Sequence, residues 1–450
     1  MEGVLMRSRW RRSALIAVVV LAPTCATRGA TWKETVLYSF TGIGANGIYP
    51  QAGVIFDAAG NLYGTTQCGG AKPCTNNLGG TVFELTHPAR GEQVWTETVL
   101  HAFGGPAGGS NPWAGLTFDE AGNLYGTTYN GGSGSCEYGC GTVFRLAPPN
   151  AGKTAWKETV LHSFADGADG GYPRAGVILD AVGNLYTTAS YGGGSACGLQ
   201  PGCGTVLMLA PPVPGKNLWT ETVLHSFAGG VDGAVPVAGL TFDASGDLYG
   251  TTVVGGSGVC EGTGCGTVFE LSPPTVGKKA WKESVLYSFT GQPAGAYPYT
   301  SLIYDPAGNL YGTTNEGGTS NAGTVFQLSP PLGGSGAWKE TVLYSFSGPA
   351  NGVYPSSLVF DGNGNLYGAA AQSRGKSCKT AVVGCGMIFK LAPPGAGKMA
   401  WTETVLHYFA DTGTSGEYPS GVIFDTVGNL FGTTEAGGAS GYGTVFRLAP

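Results

Sequence analysis

A ten-residue motif built around Trp occurs seven times in this 450-residue chain, at intervals of about sixty residues. The copies read TWKETVLYSF, VWTETVLHAF, AWKETVLHSF, LWTETVLHSF, AWKESVLYSF, AWKETVLYSF and AWTETVLHYF. Each is followed by a segment of the form G-V-I-F-D-x-x-G-N-L-Y-G-T-T and then by G-T-V-F-x-L. A repeat of this length indicates a circular or linear array of like units that bury their apolar faces against each other.

Each repeat contains four strand signals, which in the first repeat are residues 53–57 (GVIFD), 61–66 (NLYGTT), 81–85 (TVFEL) and 97–103 (ETVLHAF). They are short, rich in β-branched and aromatic residues, and separated by turn residues. Four such strands repeated seven times predict an all-β fold, a seven-bladed β-propeller with four-stranded antiparallel blades. A β-solenoid is the alternative, although its coils are usually shorter.

The phase of the repeat predicts how the ring closes. The first Trp motif, residues 32–40, precedes any complete unit, and the last unit ends with its third strand at residues 444–448. We therefore expect the amino-terminal strand to complete the last blade, which removes two exposed sheet edges. Residues 31–450 are predicted to form one domain.

Residues 1–26 have the features of a signal peptide. Four Arg residues lie within the first twelve positions, and the apolar run at residues 14–22 is too short to span a bilayer. A membrane anchor or a lipid attached to Cys25 is the alternative, and the paired arginines also permit twin-arginine export. Cleavage would remove four Arg and one Glu, which takes the formal charge from −6 to about −9. Such an acidic surface disfavours nucleic acid and anionic membranes as partners.

Ten of the 11 Cys residues form close pairs at one place in the repeat, between L-Y-G-T-T and G-T-V-F. The pairs are Cys68/Cys74, Cys136/Cys140, Cys197/Cys203, Cys260/Cys265 and Cys378/Cys385. Repeats five and seven lack both members, and presence or absence in pairs is typical of disulfides in an exported protein. Zinc is the alternative, but each pair offers two thiols with no His nearby, and a tetrahedral site needs two more ligands. We expect no metal and no cofactor.

Three features that recur in every repeat are interpreted as structural. The Trp of each outer strand is expected to pack between neighbouring blades, with a ring of sugar-stacking platforms as the alternative. The slot before S-F holds Tyr or His interchangeably, which argues against acid–base chemistry at one pKa. The Asp that precedes G-N-L-Y, as in residues 57–61, is expected to cap a tight turn rather than to bind metal.

Ligand contacts are expected instead where the repeats differ at inward positions. The slot after the loop Pro holds Gln51, Trp113, Arg174, Val237, Tyr299, Ser356 and Ser420. The end of the second strand holds, among others, Tyr129, Tyr191, Asn315, Glu316 and Glu435. We predict that Gln51, Trp113, Arg174, Tyr299 and these five bind a ligand at the channel mouth, on the face that carries the Cys loops. Aromatic rings and amides together suit a carbohydrate or another polar neutral ligand, and the alternative is that these are ordinary solvated loop residues.

The order W-x-E-T-V-L-Y-S-F, then Y-P-x-A-G-L/V-x-F-D-x-x-G-N-L-Y-G-T-T, then G-T-V-F-x-L resembles the GloVer (Gloeobacter/Verrucomicrobia) tandem-repeat family over residues 31–450. The departures are local, for example Thr187 in repeat three, Asp247 in repeat four and Ala369 in repeat six. The resemblance implies an exported or surface-attached bacterial repeat protein, and no catalytic residues transfer from it.

We therefore expect a secreted, periplasmic or cell-surface binding module, monomeric and without a membrane span after signal cleavage. Its expected partner is a polysaccharide or a surface protein. The alternatives are a propeller enzyme, such as a lyase or lactonase that uses the central channel, and a purely structural surface protein.

Overall fold

The computed structural model is a ring of seven four-stranded antiparallel sheets, which confirms the predicted seven-bladed β-propeller. It describes residues 32–42, 46–71, 78–89, 94–105, 107–194, 202–213, 215–216, 218–275, 280–333, 336–373, 384–395, 397 and 399–450. The predicted signal peptide, residues 1–26, lies outside these ranges. Among the described residues, no helix is long and apolar enough to cross a membrane.

From the channel outwards, the four strands of the blades are as follows. Blade 1 consists of Ile55–Phe56, Leu62–Thr66, Thr81–Thr86 and Thr96–Ala102, and blade 2 of Thr117–Phe118, Leu124–Thr128, Thr142–Ala147 and Lys157–Ser163. Blade 3 consists of Ile178–Leu179, Leu185–Ala189, Thr205–Ala210 and Thr220–Ser226, and blade 4 of Thr241–Phe242, Leu248–Thr252, Thr267–Ser272 and Lys282–Ser288. Blade 5 consists of Ile303–Tyr304, Leu310–Thr314, Thr324–Ser329 and Lys339–Ser345, and blade 6 of Val353–Phe360, Leu366–Gln372, Met387–Ala392 and Thr402–Tyr408. Blade 7 consists of Gly416–Phe424, Leu430–Gly437, Thr444–Ala449 and the amino-terminal strand Lys33–Ser39. Outside the blades, Gly47–Ile48 pairs with Cys68–Gly69, Gly295–Ala296 pairs with Glu316–Gly317, and Gly230–Asp232 is a 3-10 turn.

The amino-terminal strand closes the ring as predicted. It pairs antiparallel with the last strand of the chain, with Lys33 opposite Ala449 and Ser39 opposite Thr444. Glu34 adds side-chain contacts across the seam, since its carboxylate accepts hydrogen bonds from Ser415 Oγ (2.8 Å) and from the backbone N–H of Gly416 (3.2 Å). The seam removes the two free strand edges that an open ring would present to solvent.

The apolar core consists of similar clusters that lie between neighbouring blades rather than within a single blade. The Phe that directly follows each outer strand is fully buried, and in six of the seven blades its ring packs edge-on against the Phe of the third strand in the next blade. The outer-strand Trp also packs across the boundary as expected; Trp156, for example, contacts Tyr63 of the preceding blade with ring centroids 6.5 Å apart. Each blade therefore needs its neighbours to bury its apolar surface.

Buried Thr hydroxyls on the second strands tie six of the seven blades to the next one, the exception being blade 6, which has Ala369 at this position. Thr65 Oγ1 donates to the carbonyl of Ala114 (2.9 Å), and Thr433 Oγ1 donates to the carbonyl of Ala52 (2.7 Å) across the seam. These bonds engage carbonyls just before the innermost strands. In blades 1 to 5 the innermost strand is only two residues long, shorter than the predicted residues 53–57.

The Asp turn acts as a folding device. Asp57 Oδ1 accepts hydrogen bonds from the backbone N–H groups of Ala59 (2.9 Å) and Asn61 (2.8 Å). Its Oδ2 accepts from Asn61 Nδ2 (2.8 Å) and from the Tyr63 hydroxyl (3.2 Å). The Asp residues of all the other blades bond the same two backbone N–H positions, so local hydrogen bonding accounts for this recurring carboxylate.

Candidate functional site

The residue before the loop Pro shapes the channel mouth. In all seven blades it is a non-glycine residue with positive φ, namely Tyr49, Asn111, Tyr172, Val235, Tyr297, Tyr354 and Tyr418. Non-glycine residues seldom adopt this left-handed conformation. Backbone bonds to the preceding blade hold it in place; for example, the N–H of Tyr172 donates to the carbonyl of Cys140 (2.6 Å) and that of Tyr297 to Cys265 (2.9 Å).

This backbone conformation explains how the variable slots come to lie together. The residue that follows each loop Pro begins the innermost segment at the mouth, and the end of the second strand is bonded to the left-handed residue. The N–H of Tyr129 donates to the carbonyl of Asn111 (2.9 Å), and the N–H of Asn315 donates to Tyr297 (3.0 Å). The two slots that the sequence singled out are therefore neighbours at one end of the channel.

Four of the predicted ligand residues line a polar cavity of about 320 Å³: Gln51, Tyr299, Asn315 and Glu435. Ser356 and Ser420 lie in the same wall, together with the rings of Tyr354 and Tyr418. The residues come from blades 1, 5, 6 and 7, so the cavity exists only in the closed ring. It offers amide, hydroxyl and carboxylate groups beside aromatic rings.

Three other predicted residues form an aromatic and cationic group across blades 2 and 3. The rings of Trp113 and Tyr129 are stacked, with centroids 5.1 Å apart and planes inclined by 15°. The guanidinium carbon of Arg174 lies 4.6 Å from the centroid of Trp113 and 5.2 Å from that of Tyr129. Both distances are within the range of cation–π attraction.

Aromatic rings continue from this group along the mouth. Tyr172 lies 5.2 Å from Tyr129, and Tyr191 lies 5.9 Å from Tyr172, measured between ring centroids. Tyr191 and Tyr299 then line a second cavity of about 620 Å³, whose other walls are mostly glycine backbone and valine side chains of blade 4. Tyr299 belongs to both cavities and is 43% exposed, so it divides a polar compartment from a largely apolar one.

Burial raises the pKa of the Tyr299 phenol, while the positive charge of Arg174 acts in the opposite direction. Tyr299 is therefore neutral at physiological pH and available as both a donor and an acceptor of hydrogen bonds.

Glu316 is placed differently from the other predicted residues. It pairs through its backbone with Ala296, and its carboxylate accepts a weak hydrogen bond from Asn321 Nδ2 (3.4 Å). It is not among the described residues that line either cavity. The sequence predicted that Glu316 binds a ligand at the mouth, but it did not reveal that the carboxylate is hydrogen-bonded to the nearby Asn321.

Sequence reasoning missed the left-handed Tyr residues at the mouth. Tyr354 and Tyr418 line the polar cavity, and Tyr172 links two predicted aromatic residues. A signal was present, because the dipeptide before the innermost strand is Tyr-Pro in five repeats but Asn111-Pro112 and Val235-Pro236 in the other two. The recurrence of Tyr-Pro concealed its role, since a residue that most repeats share is readily attributed to the fold.

Two of the five predicted disulfides are seen directly, Cys136–Cys140 and Cys260–Cys265. Cys68, Cys203 and Cys385 are also disulfide-bonded, but their predicted partners Cys74, Cys197 and Cys378 lie outside the described residues. The bridged loops flank the channel mouth. Disulfides persist in oxidising compartments, so they point to an extracytoplasmic protein.

One group of possible metal ligands lies away from the mouth, between the outer strands of blades 3 and 4. His225, Asp232 and Glu283 bring ligand atoms within 4.8 Å of one another. The repeat offers a simpler explanation. His225 and His162 each pair with an Asp seven residues on, at 3.2 and 3.1 Å, whereas Tyr344 accepts a hydrogen bond from the amide of Asn351 (2.7 Å) at the same place. The exchange of His–Asp for Tyr–Asn indicates a hydrogen bond that fastens the loop.

The sequence matches the family model of the Gloeobacter/Verrucomicrobia repeat twice, over residues 24–200 and 197–383. No curated protein matches it. Among solved structures, it is similar to a protein of Thermus thermophilus described as a putative oxidoreductase (glucose dehydrogenase), with 17% identity and a TM-score of 0.43, covering 76% of this chain and 98% of that one. It is also similar to a gluconolactonase of Xanthomonas campestris, with 12% identity and a TM-score of 0.37, covering 93% of this chain and 89% of that one. A protein of unknown function from Dyadobacter fermentans is similar as well, with 11% identity and a TM-score of 0.42, covering 93% of this chain and 98% of that one. The likeness to these structures is one of fold alone.

Proposed function

The chain belongs to the Gloeobacter/Verrucomicrobia repeat family, and from this premise we propose that it is an exported binding module that recognises polysaccharide at its channel mouth. One observation carries the proposal. Residues that differ from blade to blade, and that the fold itself does not require, converge into a polar cavity and an adjoining row of aromatic rings.

The polar cavity suits the hydroxyl groups of a sugar. Gln51 and Asn315 carry amides that both donate and accept hydrogen bonds, and Glu435 carries an acceptor. Its volume of about 320 Å³ lies at the lower end of the range of about 300 to 1,000 Å³ for small-molecule sites. It therefore has room for a short part of a chain, with the remainder extending over the mouth.

The aromatic rings suit the apolar faces of the same ligand. Tyr299 is the most accessible ring of the polar cavity, at 43% exposed, and Tyr354 follows at 39%. Such rings supply contact area at low conformational cost because few torsions must be fixed on binding. A site that combines both kinds of group is adapted to a ligand with polar edges and apolar faces, as sugars have.

Export is proposed from the amino-terminal sequence and the cysteines. The basic start and short apolar run of residues 1–26 have the form of a signal peptide. Disulfide-bonded loops around the mouth require an oxidising compartment. The binding face would then meet polysaccharide at the cell surface, in the periplasm or outside the cell.

A glycan-array screen of the folded, unreduced protein tests the proposal, followed by calorimetry with the glycans found. We expect the double variant Trp113→Ala/Tyr299→Ala to abolish binding while retaining the β-sheet circular dichroism spectrum. Tyr408→Ala is the matched control, because Tyr408 is 40% exposed but lies on the outer strand of blade 6. The absence of any glycan ligand, or unchanged affinity of the double variant, would refute the proposed site.

A further inference from the structure

Arg174 is the one charged member of its repeat slot. The other six copies are Gln51, Trp113, Val237, Tyr299, Ser356 and Ser420. A cation in a slot that six other blades fill with neutral side chains is not required by the fold. Its role must therefore be sought in what holds the guanidinium and in what would balance its charge.

The guanidinium is held by aromatic rings and not by a carboxylate. Its carbon lies 4.6 Å from the centroid of Trp113 and 5.2 Å from that of Tyr129. No ion pair joins Arg174 to any described residue. Its Nε is buried and has no hydrogen-bond partner in the described part of the chain. Aromatic contact fixes the side chain and leaves this buried donor unused.

We propose that Arg174 binds an anionic group on the glycan, so that the ligand is an acidic polysaccharide carrying uronate carboxylates or sulfate esters. This inference rests on the proposed function and narrows its ligand class. A guanidinium presents a planar fork of donors that matches two oxygens of one carboxylate or sulfate. Stacking on Trp113 and Tyr129 sets the orientation of that fork before the ligand arrives, which lowers the entropic cost of binding.

The overall charge of the protein makes the inference easy to test. A net charge of −6 opposes the general attraction of polyanions. A preference for an acidic glycan over its neutral counterpart would therefore arise from local contact at Arg174. The remaining rings would serve the neutral and acidic glycans equally, and the Glu435 carboxylate in the polar cavity would oppose rather than favour the acidic forms.

The test uses calorimetry with three oligosaccharides of equal length: a neutral hexose oligomer, its uronic acid counterpart and its sulfate ester. We expect the full-length disulfide-bonded protein to bind one or both acidic forms at least ~10-fold more tightly than the neutral form. Whichever of the two acidic oligosaccharides binds more tightly identifies the anion as a carboxylate or a sulfate. Arg174→Gln should weaken acidic binding by about 10- to 100-fold and weaken neutral binding by a much smaller factor. Arg174→Lys should fall between, because it keeps the charge but loses the fork.

Lys390→Gln is the matched control, since Lys390 lies 5.5 Å above the ring of Tyr367 in blade 6 and its replacement removes the same charge away from the mouth. It should alter none of the three affinities. Equal binding of neutral and acidic forms by the wild-type protein would overturn the inference and leave the proposed function standing. If the wild-type protein binds none of the three oligosaccharides and no glycan on the array, both the inference and the proposed function are overturned. Folding of each variant is checked by its melting temperature, and if Arg174→Gln is unfolded, Arg174→Lys carries the comparison.

Discussion

Thr187 lies directly opposite Leu207 in blade 3, at the register position where every other blade pairs Gly with Phe. The reason is steric. A Cβ on Gly126 of blade 2 would lie 2.7 Å from Cζ of Phe144, so the ring occupies the space above the glycine. Leu207 has no ring to occupy that space, and blade 3 can therefore carry a Thr. Two departures from the repeat thus form one compensated pair.

This relationship predicts a strong coupling in blade 2. Gly126→Thr should destabilise the protein by about 1 to 3 kcal/mol, because the added methyl and hydroxyl meet the Phe144 ring. Adding Phe144→Leu should cost less than the sum of the two single changes, with a coupling of roughly 1 to 2 kcal/mol. Urea unfolding of the four proteins measures the coupling. Strict additivity would show that the pair in blade 3 is a coincidence.

A second prediction concerns the Asp turns. Asp305 accepts hydrogen bonds from the N–H groups of Ala307 and Asn309, from Asn309 Nδ2 and from the Tyr311 hydroxyl, at 2.8 to 2.9 Å. Asp305→Ala should therefore lower the free energy of unfolding by about 2 kcal/mol.

Asp243 provides the matched comparison in blade 4. Its turn has Asp247 in place of Asn, so the side-chain amide bond is missing and two carboxylates are close together. Asp243→Ala should lower the free energy of unfolding by less than Asp305→Ala does, as measured by urea unfolding of both variants. An equal or larger loss at Asp243 would contradict the hydrogen-bond account.

A third prediction concerns the pH dependence of stability. Burial raises the pKa of Glu340 to about 7 from its ordinary value near 4.5. Glu340 Oε1 is buried and has no hydrogen-bond partner in the described structure. The folded state then binds the proton more tightly than the unfolded state, so stability falls as pH rises from about 4.5 through 7.

Glu340→Gln should therefore stabilise the protein at pH 8 by roughly 1 to 2 kcal/mol, after allowance for partial exposure, and have little effect at pH 5. Melting temperatures at the two pH values measure the difference. Glu120→Gln, on the exposed hairpin tip of blade 2, is the control and should change neither. Stabilisation by Glu340→Gln that is the same at both pH values would rule out titration as the cause.

A fourth prediction concerns the seam. Glu34→Ala removes the acceptor for Ser415 and Gly416 and also the partner of His407, whose Nε2 lies 3.2 Å from Glu34 Oε2. We expect a loss of about 2 to 3 kcal/mol, because partly buried donors are left without an acceptor. Lys33→Ala changes the adjacent exposed residue of the same strand and should have an effect below ~0.5 kcal/mol. Equal unfolding free energies for the two variants would show that the seam depends on backbone pairing alone.

Much of the architecture could be predicted because it is written in local, repeated patterns. Strand number, blade number and closure follow from the period and phase of the apolar residues, and the Asp turn follows from the chemistry of its own five residues. The Tyr/His slot could be assigned a structural role because its two residue types share no pKa. Its partner could not be predicted, since it differs between blades. It is an Asp or Asn seven residues on for His162, His225 and Tyr344, but Glu158 for His101 and Glu34 for His407.

The sequence by itself determined that the chain folds into a closed ring of seven sheets, since each repeat must bury its Phe and Trp against a neighbour. Only the tertiary structure decided which side chains meet at the mouth. Trp113 and Arg174 are one repeat apart, and Gln51 and Glu435 are nearly the full chain apart, yet each pair is brought into one group. Such contacts depend on the curvature of the ring and on the left-handed backbone before each loop Pro. The recurring Tyr-Pro dipeptide marks the position of that backbone, but it does not tell which side chains the ring brings together.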